Sequence, residues 1–525
     1  MLSEIYENIE KLIKYNRAAD IVPYEEFSDT VAGFWDYIEQ QMGALDNASR
    51  EQVYSFLDES LNVTFTGKLR KFMLTVLLDH YGDGRYATML CDDILSGSEG
   101  FDPEIGIYTV HNLDAYEFRN PGIIDLDKVN ELYIKTLDHW KNKMAEACMV
   151  IEEGVPGKIL VISTHVAGDL HAPTKTLFER IDILGGELGY ELLVMHSREM
   201  RTKPEYYPVH NLQKGIVIEE YTGLHYYKSP GGYDFPLYQP AEAMPHEHGM
   251  LQAIDLVRQF GPSRVIVMGD YSILGDVIAD YLPTINMSFG FATLHPKYNQ
   301  HVCLFRDLTD TDLERIDKWG IDRNRYLSGV FTFRFIPQNG KMSRSELKVP
   351  EDRFLIPIIG NRIGSDLKDE FMEMLGAVKY PNWHIIFAGS PEGFDYEAAC
   401  NKYPILKEHS TYAGYVDDIL AMLECCDLYV NPPRLGGGFS VAEAFSKGVP
   451  GVSLNYGDVA AAAGSEFCVA DLDEMREIIE RYMTDREFYE KMSRKALERA
   501  EVLKDGKTAM EDILKKFEIR LKENI

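Results

Sequence analysis

Apolar residues in the first 150 positions recur at helical spacing. Ser3 opens a segment with Ile5, Ile9, Leu12 and Ile13 on one face. The runs FWDYIEQQM from Phe34, REQVYSFLDESL from Arg50 and ELYIKTLDHWKNKMAEACMVIEE from Glu131 keep the same period, which predicts helix after helix. From Gly157 the pattern changes to short continuous apolar runs: KILVIS (158–163), ELLVM (191–195), GIVIEE (215–220), RVIVMG (264–269) and PTINMSF (283–289). Helical stretches such as TKTLFERIDILGG and HGMLQAIDLVRQFG separate several of them. Strands buried on both faces look like this, so the segment predicts a parallel α/β sheet. A second series follows with FLIPIIG (354–360), WHIIFAG (383–389), DLYVNP (427–432), GVSLNY (451–456) and FCVA (467–470). Residues 327–352 between the two series are rich in Gly, Pro and charge and read as a linker. Past Asp473 the helical period returns, with Met475, Ile478, Ile479, Tyr482 and Met483 on one face, then Met510, Ile513, Leu514, Phe517 and Leu521. The expected fold class is α/β: an all-α region over 1–150, a first doubly wound, Rossmann-like lobe over 155–340, and a second over 350–525 that ends in helices.

Composition narrows the function. The chain has 525 residues, enough for about three domains at the usual size. Lys plus Arg number 54 against 84 Asp plus Glu, a net charge of −30 that repels nucleic acid and anionic lipid in the absence of a basic patch. The seven cysteines are scattered, apart from Cys425-Cys426, and lack metal-ligand spacing, which fits a reducing compartment. The N-terminus carries acids where a signal peptide needs a basic, then apolar, stretch, and no run reaches the roughly 18 apolar residues of a membrane span. The expectation is a cytoplasmic protein with neither nucleic-acid partner nor transmembrane segment.

Doubly wound sheets bind ligands beyond the carboxyl ends of their strands. After DLYV comes NPPRLGGGFSVAEAFSKGVPGVSL (431–454), a turn with three consecutive glycines opening a helix. Gly436, Gly437 and Gly438 let backbone approach a ligand, and the N–H groups of Phe439, Ser440 and Val441 at the helix start can face a phosphate pair. Glu443, one turn further in, can accept from both hydroxyls of a ribose. The plainer alternative is a tight turn followed by a solvated glutamate.

The segment resembles the nucleotide-sugar signature of GT-B glycosyltransferases. GYVDDILAMLECCDLYVNPP (414–433) followed by GGFSVAEAFSKGVPGV is similar to the G-x-V…AD-x-x-x-P-S…EGFG…EA-x-x-x-G-x-PVV pattern of the retaining hexosyltransferases. Glu443 matches the second Glu of their E-x7-E motif, the one used on the donor ribose, while the first falls on Leu435. The same window is similar, without a gap, to the O-GlcNAc transferase family, which includes bacterial N-glucosyltransferases of adhesins. There an Asp takes the place of Glu443 and the first acid is absent. The resemblance implies a GT-B fold with an acceptor-side first lobe and a donor-side second lobe.

Further residues take expected roles from that resemblance. In GNRIGSDLKDEF, from Gly360, Arg362 and Lys368 stand where GT-B enzymes place the cations that neutralise the departing diphosphate; the alternative for Lys368 is a solvated first-turn residue beside a cap at Ser365 or Asp366. Gly414, Tyr415 and Val416 stand where the base is bound. After KILVIS, Gly168 permits a sharp turn and His171 lies on a loop expected to face the cleft. His171-Ala172-Pro173-Thr174 is similar to a His-Pro-Thr element of the O-GlcNAc transferase family, so His171, with Asp169 as second choice and His165 behind it, is the expected base; a helix cap is the alternative. Asp270 and Tyr271 occupy another strand end, where Asp270 is either a site residue or a helix cap.

Some strings are declined. Asp310-Thr311-Asp312 and Asp471-Leu472-Asp473 spell the D-x-D of metal-dependent transferases but precede helices, where Asp is an ordinary cap. His246-Glu247-His248 lacks zinc-helix spacing. No metal and no cofactor are expected beyond a UDP-sugar co-substrate. The expectation is a metal-independent transferase moving a hexose or N-acetylhexosamine from a UDP-sugar to an acceptor, which the resemblance implies is a protein, with an oligomer or a partner glycosyltransferase allowed for. Rival readings are a sugar-nucleotide epimerase of GT-B shape, a non-catalytic partner subunit, and a lipid or cell-wall acceptor.

Overall fold

The computed structural model describes residues 2–19, 24–97, 100–152, 154–168, 171–200, 217–290, 294–297 and 299–523. The chain divides into two compact units, the first of Met1–Thr174, Gly189–Met287 and His295–His301, the second of Lys175–Leu188, Ser288–Leu294 and Val302–Ile525.

The first unit begins with helices α1 (Leu2–Ala19), α2 (Tyr24–Met42), α3 (Asn47–Ser60), α4 (Gly67–Tyr81), α5 (Arg85–Ser96), α6 (Pro103–Arg119) and α7 (Leu126–Cys148). Aspartates start several of them: Asp46 accepts from Ser49 N–H, Asp102 from Glu104 and Ile105 N–H, and Asp125 from Asp127 N–H. Gly82, at φ 59°, ends α4 in the left-handed region. The expected face of α1 is buried in full. Helices α4 and α6 escape the periodicity argument because they are buried nearly all round, with Phe72 to Leu78 and Ile105 to Leu113 enclosed without a break.

The sheet of this unit contains β1 (Val155–Ser163), β2 (Glu191–His196), β3 (Gly223–Lys228), β4 (Asp234–Gln239), β5 (Pro262–Met268) and β6 (Thr284–Met287), in the order β3-β4-β2-β1-β5-β6. Every pairing is parallel except β3 with β4. Helices α8 (Ala172–Ile181), α9 (Glu247–Phe260) and α10 (Ile273–Ile278) accompany it; α8 passes out of the first unit after Thr174. The strand expected at 215–220 is a correction. Residues 215–216 lie outside the described residues, and Glu219–Tyr221 is one 3-10 turn. The sheet edge is instead the hairpin β3-β4, whose aromatic strands flank the turn SPGGY, closed by Ser229 N–H to Tyr233 O at 2.9 Å.

The helices and this sheet share a core. Tyr133 of α7 packs edge-on to Tyr271 with ring centres 4.8 Å apart, and its hydroxyl donates to Asp276 of α10. Tyr271 Oη donates to Asn130 Oδ1 at 2.8 Å, and Lys297 holds Asp276 at 2.6 Å.

In the second unit β7 (His301–Leu304), which starts one residue before it, pairs in parallel with β8 (Tyr326–Ser328), with α11 (Asp310–Trp319) between. The main sheet contains β9 (Phe354–Ile359), β10 (Trp383–Ala388), β11 (Ser410–Gly414), β12 (Tyr429–Val430), β13 (Gly451–Leu454) and β14 (Cys468–Val469). The ladders run β11-β10-β9 and β12-β13-β14, all parallel. Asp427 and Leu428 N–H both donate to Leu355 O, which sets β12 beside β9. The winding therefore reverses between β9 and β12. The helices are α12 (Ile363–Asp366), α13 (Asp369–Gly376), α14 (Tyr396–Lys402), α15 (Leu406–His409), α16 (Ile419–Leu423), α17 (Gly438–Ser446), α18 (Gly457–Ala463), α19 (Leu472–Thr484), α20 (Arg486–Lys504) and α21 (Gly506–Glu523).

The stretch read as a linker is instead a packed strap with little regular structure. Its Phe333 is buried, gives its N–H to Leu503 O at 2.8 Å, and meets the Phe439 ring at 4.9 Å. Aromatic and β-branched residues within 330–335 outweigh the Gly and Pro that follow them. The arrangement in both units is α/β with doubly wound sheets, preceded by helices.

Candidate functional site

In a doubly wound sheet the crevice opens where the winding reverses, beyond the carboxyl ends of the two central strands. In the second unit these are β9 and β12. The residues expected to bind a donor lie after β9, β11 and β12.

The glycine turn after β12 has one backbone that only glycine adopts easily. Gly437 has φ 116°, and a Cβ there would stand 3.0–3.1 Å from Val459, Arg434 and Asn431. Gly436 precedes it and Gly438 begins α17. Val441 N–H is bonded to Gly437 O at 3.2 Å, so the N–H groups of Gly438, Phe439 and Ser440 lie ahead of the helical ladder and point out of the helix start. Val441 was expected to join them, but the helix starts one residue earlier than anticipated and uses its N–H internally.

Glu443 follows one turn later, half-buried between Ala442 and Ala444, both fully enclosed. Burial raises its carboxyl to about 7, against a smaller opposing pull from Lys175 of α8. Its carboxylate has no hydrogen-bond partner among the described residues, which leaves it available to hydroxyl donors.

Arg362 and Lys368 bracket α12, both exposed. Lys368 takes the N-cap position of α13 rather than its first turn. Asp366, considered as a cap, does different work: it forms a buried ion pair with Arg434 at 2.9 Å. Gly414 ends β11 at φ 72°, and Tyr415 beyond it is 62% exposed. Tyr415, Asn361, Ser390, Glu392 and Gly393 line an open cavity of about 430 Å³ on the same side of the sheet. Leu435, at the position of the first Glu of E-x7-E, contributes its carbonyl, which accepts from Asp458 N–H at 2.6 Å.

The histidine loop belongs to the first unit, where winding reverses between β1 and β5. Gly168 takes φ 88°, and His171 N–H closes the turn onto Gly168 O at 3.1 Å, directly before α8. Asp169 lies outside the described residues. The rings of His165 and His171 stack with centres 4.5 Å apart. His171 Nδ1 and His165 Nε2 are buried and unbonded among the described residues, so Nδ1 is not accepting from the helix start as a cap would. Burial holds His171 below its ordinary pKa and drives His165 down to about 3. Both rings are thus neutral at pH 7. Asp270 is not the cap of α10, since Ser272 fills that role by accepting from Gly275 N–H.

The declined strings resolve locally. Thr309 caps α11 in a capping box closed by Asp312, while Asp471 caps α19. His246 caps α9 through Nδ1. Among the described residues no group of three or more His, Cys, Asp or Glu is placed to hold a metal ion, and no helix is long and apolar enough to cross a membrane.

Sequence reasoning missed Arg434, Asp366, Asn431 and Lys175. A lone arginine inside an otherwise apolar and glycine-rich stretch was the available signal for Arg434. Nothing local marked Lys175, which reaches Glu443 only through the path of α8. Asp114 of α6 was missed as well: burial, then Asp270 and Glu117, hold its carboxyl well above the usual range.

Residues 365–485 match the family model described as glycosyl transferases group 1. A mutant of the O-GlcNAc transferase of Thermobaculum terrenum superposes with a TM-score of 0.52 at 12% identity, covering 99% of each chain. HepE of Anabaena in complex with UDP gives a TM-score of 0.47 at 13% identity, over 69% of this chain and 99% of that one. A glycosyltransferase from Rickettsia africae gives 0.48 at 10% identity, over 70% and 98%. No curated protein matches the chain by sequence. The matched segment runs from the end of α12 to the end of α19 and contains the glycine turn and Glu443, and the superposition on the O-GlcNAc transferase gives the chain a fold of the GT-B type.

Proposed function

We propose that the protein transfers a hexose or N-acetylhexosamine from a UDP-sugar to a protein acceptor, without a metal ion, in the cytoplasm. The observation that carries the donor part is the start of α17: outward N–H groups for a diphosphate, and a desolvated carboxyl one turn later for the ribose. In this reading Gly414 and Tyr415 border the base, and Arg362, Lys368 and the helix terminus stabilise the negative charge that develops on the leaving diphosphate. Those cations replace the metal.

Glu443 must be ionised to accept from two hydroxyls, and the ribose donors themselves favour that form once bound. The acceptor's proton is assigned to His171, whose neutral ring has an unbonded Nδ1. Asp169 is its nearest alternative in sequence. A protein acceptor is supported by the resemblance to the adhesin-modifying enzymes.

The test is calorimetry with UDP, GDP and their hexose and N-acetylhexosamine conjugates, followed by mass spectrometry of proteins co-expressed with the enzyme. Tight UDP binding and a mass increment of one sugar on a protein support the reading. An epimer formed from the UDP-sugar alone points to an epimerase, and absence of all nucleotide binding to a partner subunit.

A further inference from the structure

Arg434 ties together separate pieces of the second unit. Nε donates to Asn431 Oδ1, Nη1 to Asp366 Oδ2 and Nη2 to the Ile359 carbonyl, each at 2.9 Å, and Nη2 also reaches Tyr429 Oη at 3.3 Å. Its side chain is 8% exposed. Ile359 ends β9, Asp366 ends α12 two residues before Lys368, and Tyr429 and Asn431 flank the end of β12. Glycines make room for it: a Cβ on Gly360 would stand 2.7 Å from Nη1, and one on Gly437 3.1 Å from Nη2.

A buried ion pair is weak evidence for stability, because two apolar side chains of similar volume commonly do as well. A guanidinium differs in carrying its donors in a rigid planar fork, so each bond fixes a direction as well as a distance. Here the fork spans the point where the winding reverses. On one side is the loop bearing Arg362 and Lys368; on the other is the glycine turn. The N–H groups of Arg434 are directed into the protein, which makes it a support and not a ligand contact.

We propose that Arg434 is a positioning residue that sets the loop after β9 in register with the Gly436–Ser440 turn, and so fixes the width of the diphosphate seat. This rests on the donor reading above. The effect falls mainly on phosphate: of the residues lining the cavity beside Tyr415, Ser390, Glu392, Gly393 and Tyr415 lie on the loops after β10 and β11, which Arg434 does not touch, and Asn361 alone lies on the loop after β9.

The test is titration of UDP and of uridine into the parent protein and into Arg434→Lys, Arg434→Met and Asp366→Asn, with urea unfolding of each. Losing the equivalent of one hydrogen bond to a charged group weakens binding about tenfold to a hundredfold, so Arg434→Met is expected to weaken UDP within that range, with uridine altered by less than about threefold. Asp366→Asn, which keeps the shape, is expected to lose less, and Arg434→Lys to fall between. UDP and uridine weakened in equal proportion, or neither weakened in a protein that is merely less stable, overturns the assignment. Should Arg434→Met fail to fold, the same comparison on the other two variants decides. A parent protein that binds uridine and UDP equally overturns the diphosphate seat and this role together; one that prefers UDP while the variants keep that preference overturns the role of Arg434 alone.

Discussion

Replacing Glu443 with Gln removes a charge from a place where the protein disfavours it. Burial lifts the carboxyl from an ordinary 4.5 to about 7. Below pH 4.5 the group is neutral folded and unfolded, and contributes nothing. Between 4.5 and 7 the folded state binds the extra proton, so stability falls as pH rises, and above 7 the full cost remains. At about 1.4 kcal/mol per unit, that cost is at most about 3.5 kcal/mol. Glu443→Gln should therefore match the parent near pH 4.5 and exceed it in unfolding free energy at pH 8. Binding should move the opposite way. A charge-assisted hydrogen bond is worth about 1.5–3 kcal/mol, so the variant should bind UDP roughly tenfold to a hundredfold more weakly at pH 8. In the parent, relative to the variant, UDP affinity should decline below pH 7, since the carboxyl must then shed a proton to accept. Comparing the two proteins cancels titration of the nucleotide itself. Urea unfolding and calorimetry across pH 4.5–8.5 measure both. A parent-to-variant difference that is flat in pH, for stability and for UDP, would refute the reasoning.

His171→Ala should reduce turnover by about 10²-fold while leaving UDP affinity intact, as expected for a group that acts on the proton and not on the donor; single-turnover rates beside calorimetry check this, and a normal rate returns the residue to a structural role. Its unfolding free energy should change little, because Nδ1 caps nothing. Turnover should survive EDTA; loss restored by Mn²⁺ would defeat the metal-free assignment. Gly437→Ala should cost about 1–2 kcal/mol in urea unfolding from the left-handed backbone, and weaken UDP, since the turn must shift to admit a methyl group.

Much of the fold was legible because period and composition agreed. The strands β1, β2, β5, β9 and β10 are continuous apolar runs, and the faces of α1, α19 and α21 are amphipathic. What could not be read is what tertiary burial overrides. Helices α4 and α6 are enclosed all round and lose their period, and the β3-β4 hairpin alternates too little to stand out. The strap at 329–335 looks like a linker because its Phe331, Phe333 and Phe335 are diluted by Gly and Pro. At the site, the glycine turn and Glu443 were visible because a helix start fixes its own geometry within ten residues. Arg434 with Asp366, and Lys175 with Glu443, join positions 68 and 268 residues apart in sequence, and only the folded chain brings them together.

The polar bridges between helix α7 and the elements beside the sheet bear on how this protein can be dissected. Tyr133, Asn130 and Lys141 reach Asp276, Tyr271 and Asp280, and Lys143 reaches Glu247. A gene cut near residue 150 would strand both halves of each bridge and strip the cover from Tyr271 and Ile273, so residues 151–525 should not be obtainable as a free-standing fragment. The face of α7 that is spent on this seam is also closed to any partner molecule. Substitutions meant to probe what α7 binds without unfolding the protein belong on its exposed positions, such as Asp138 and His139.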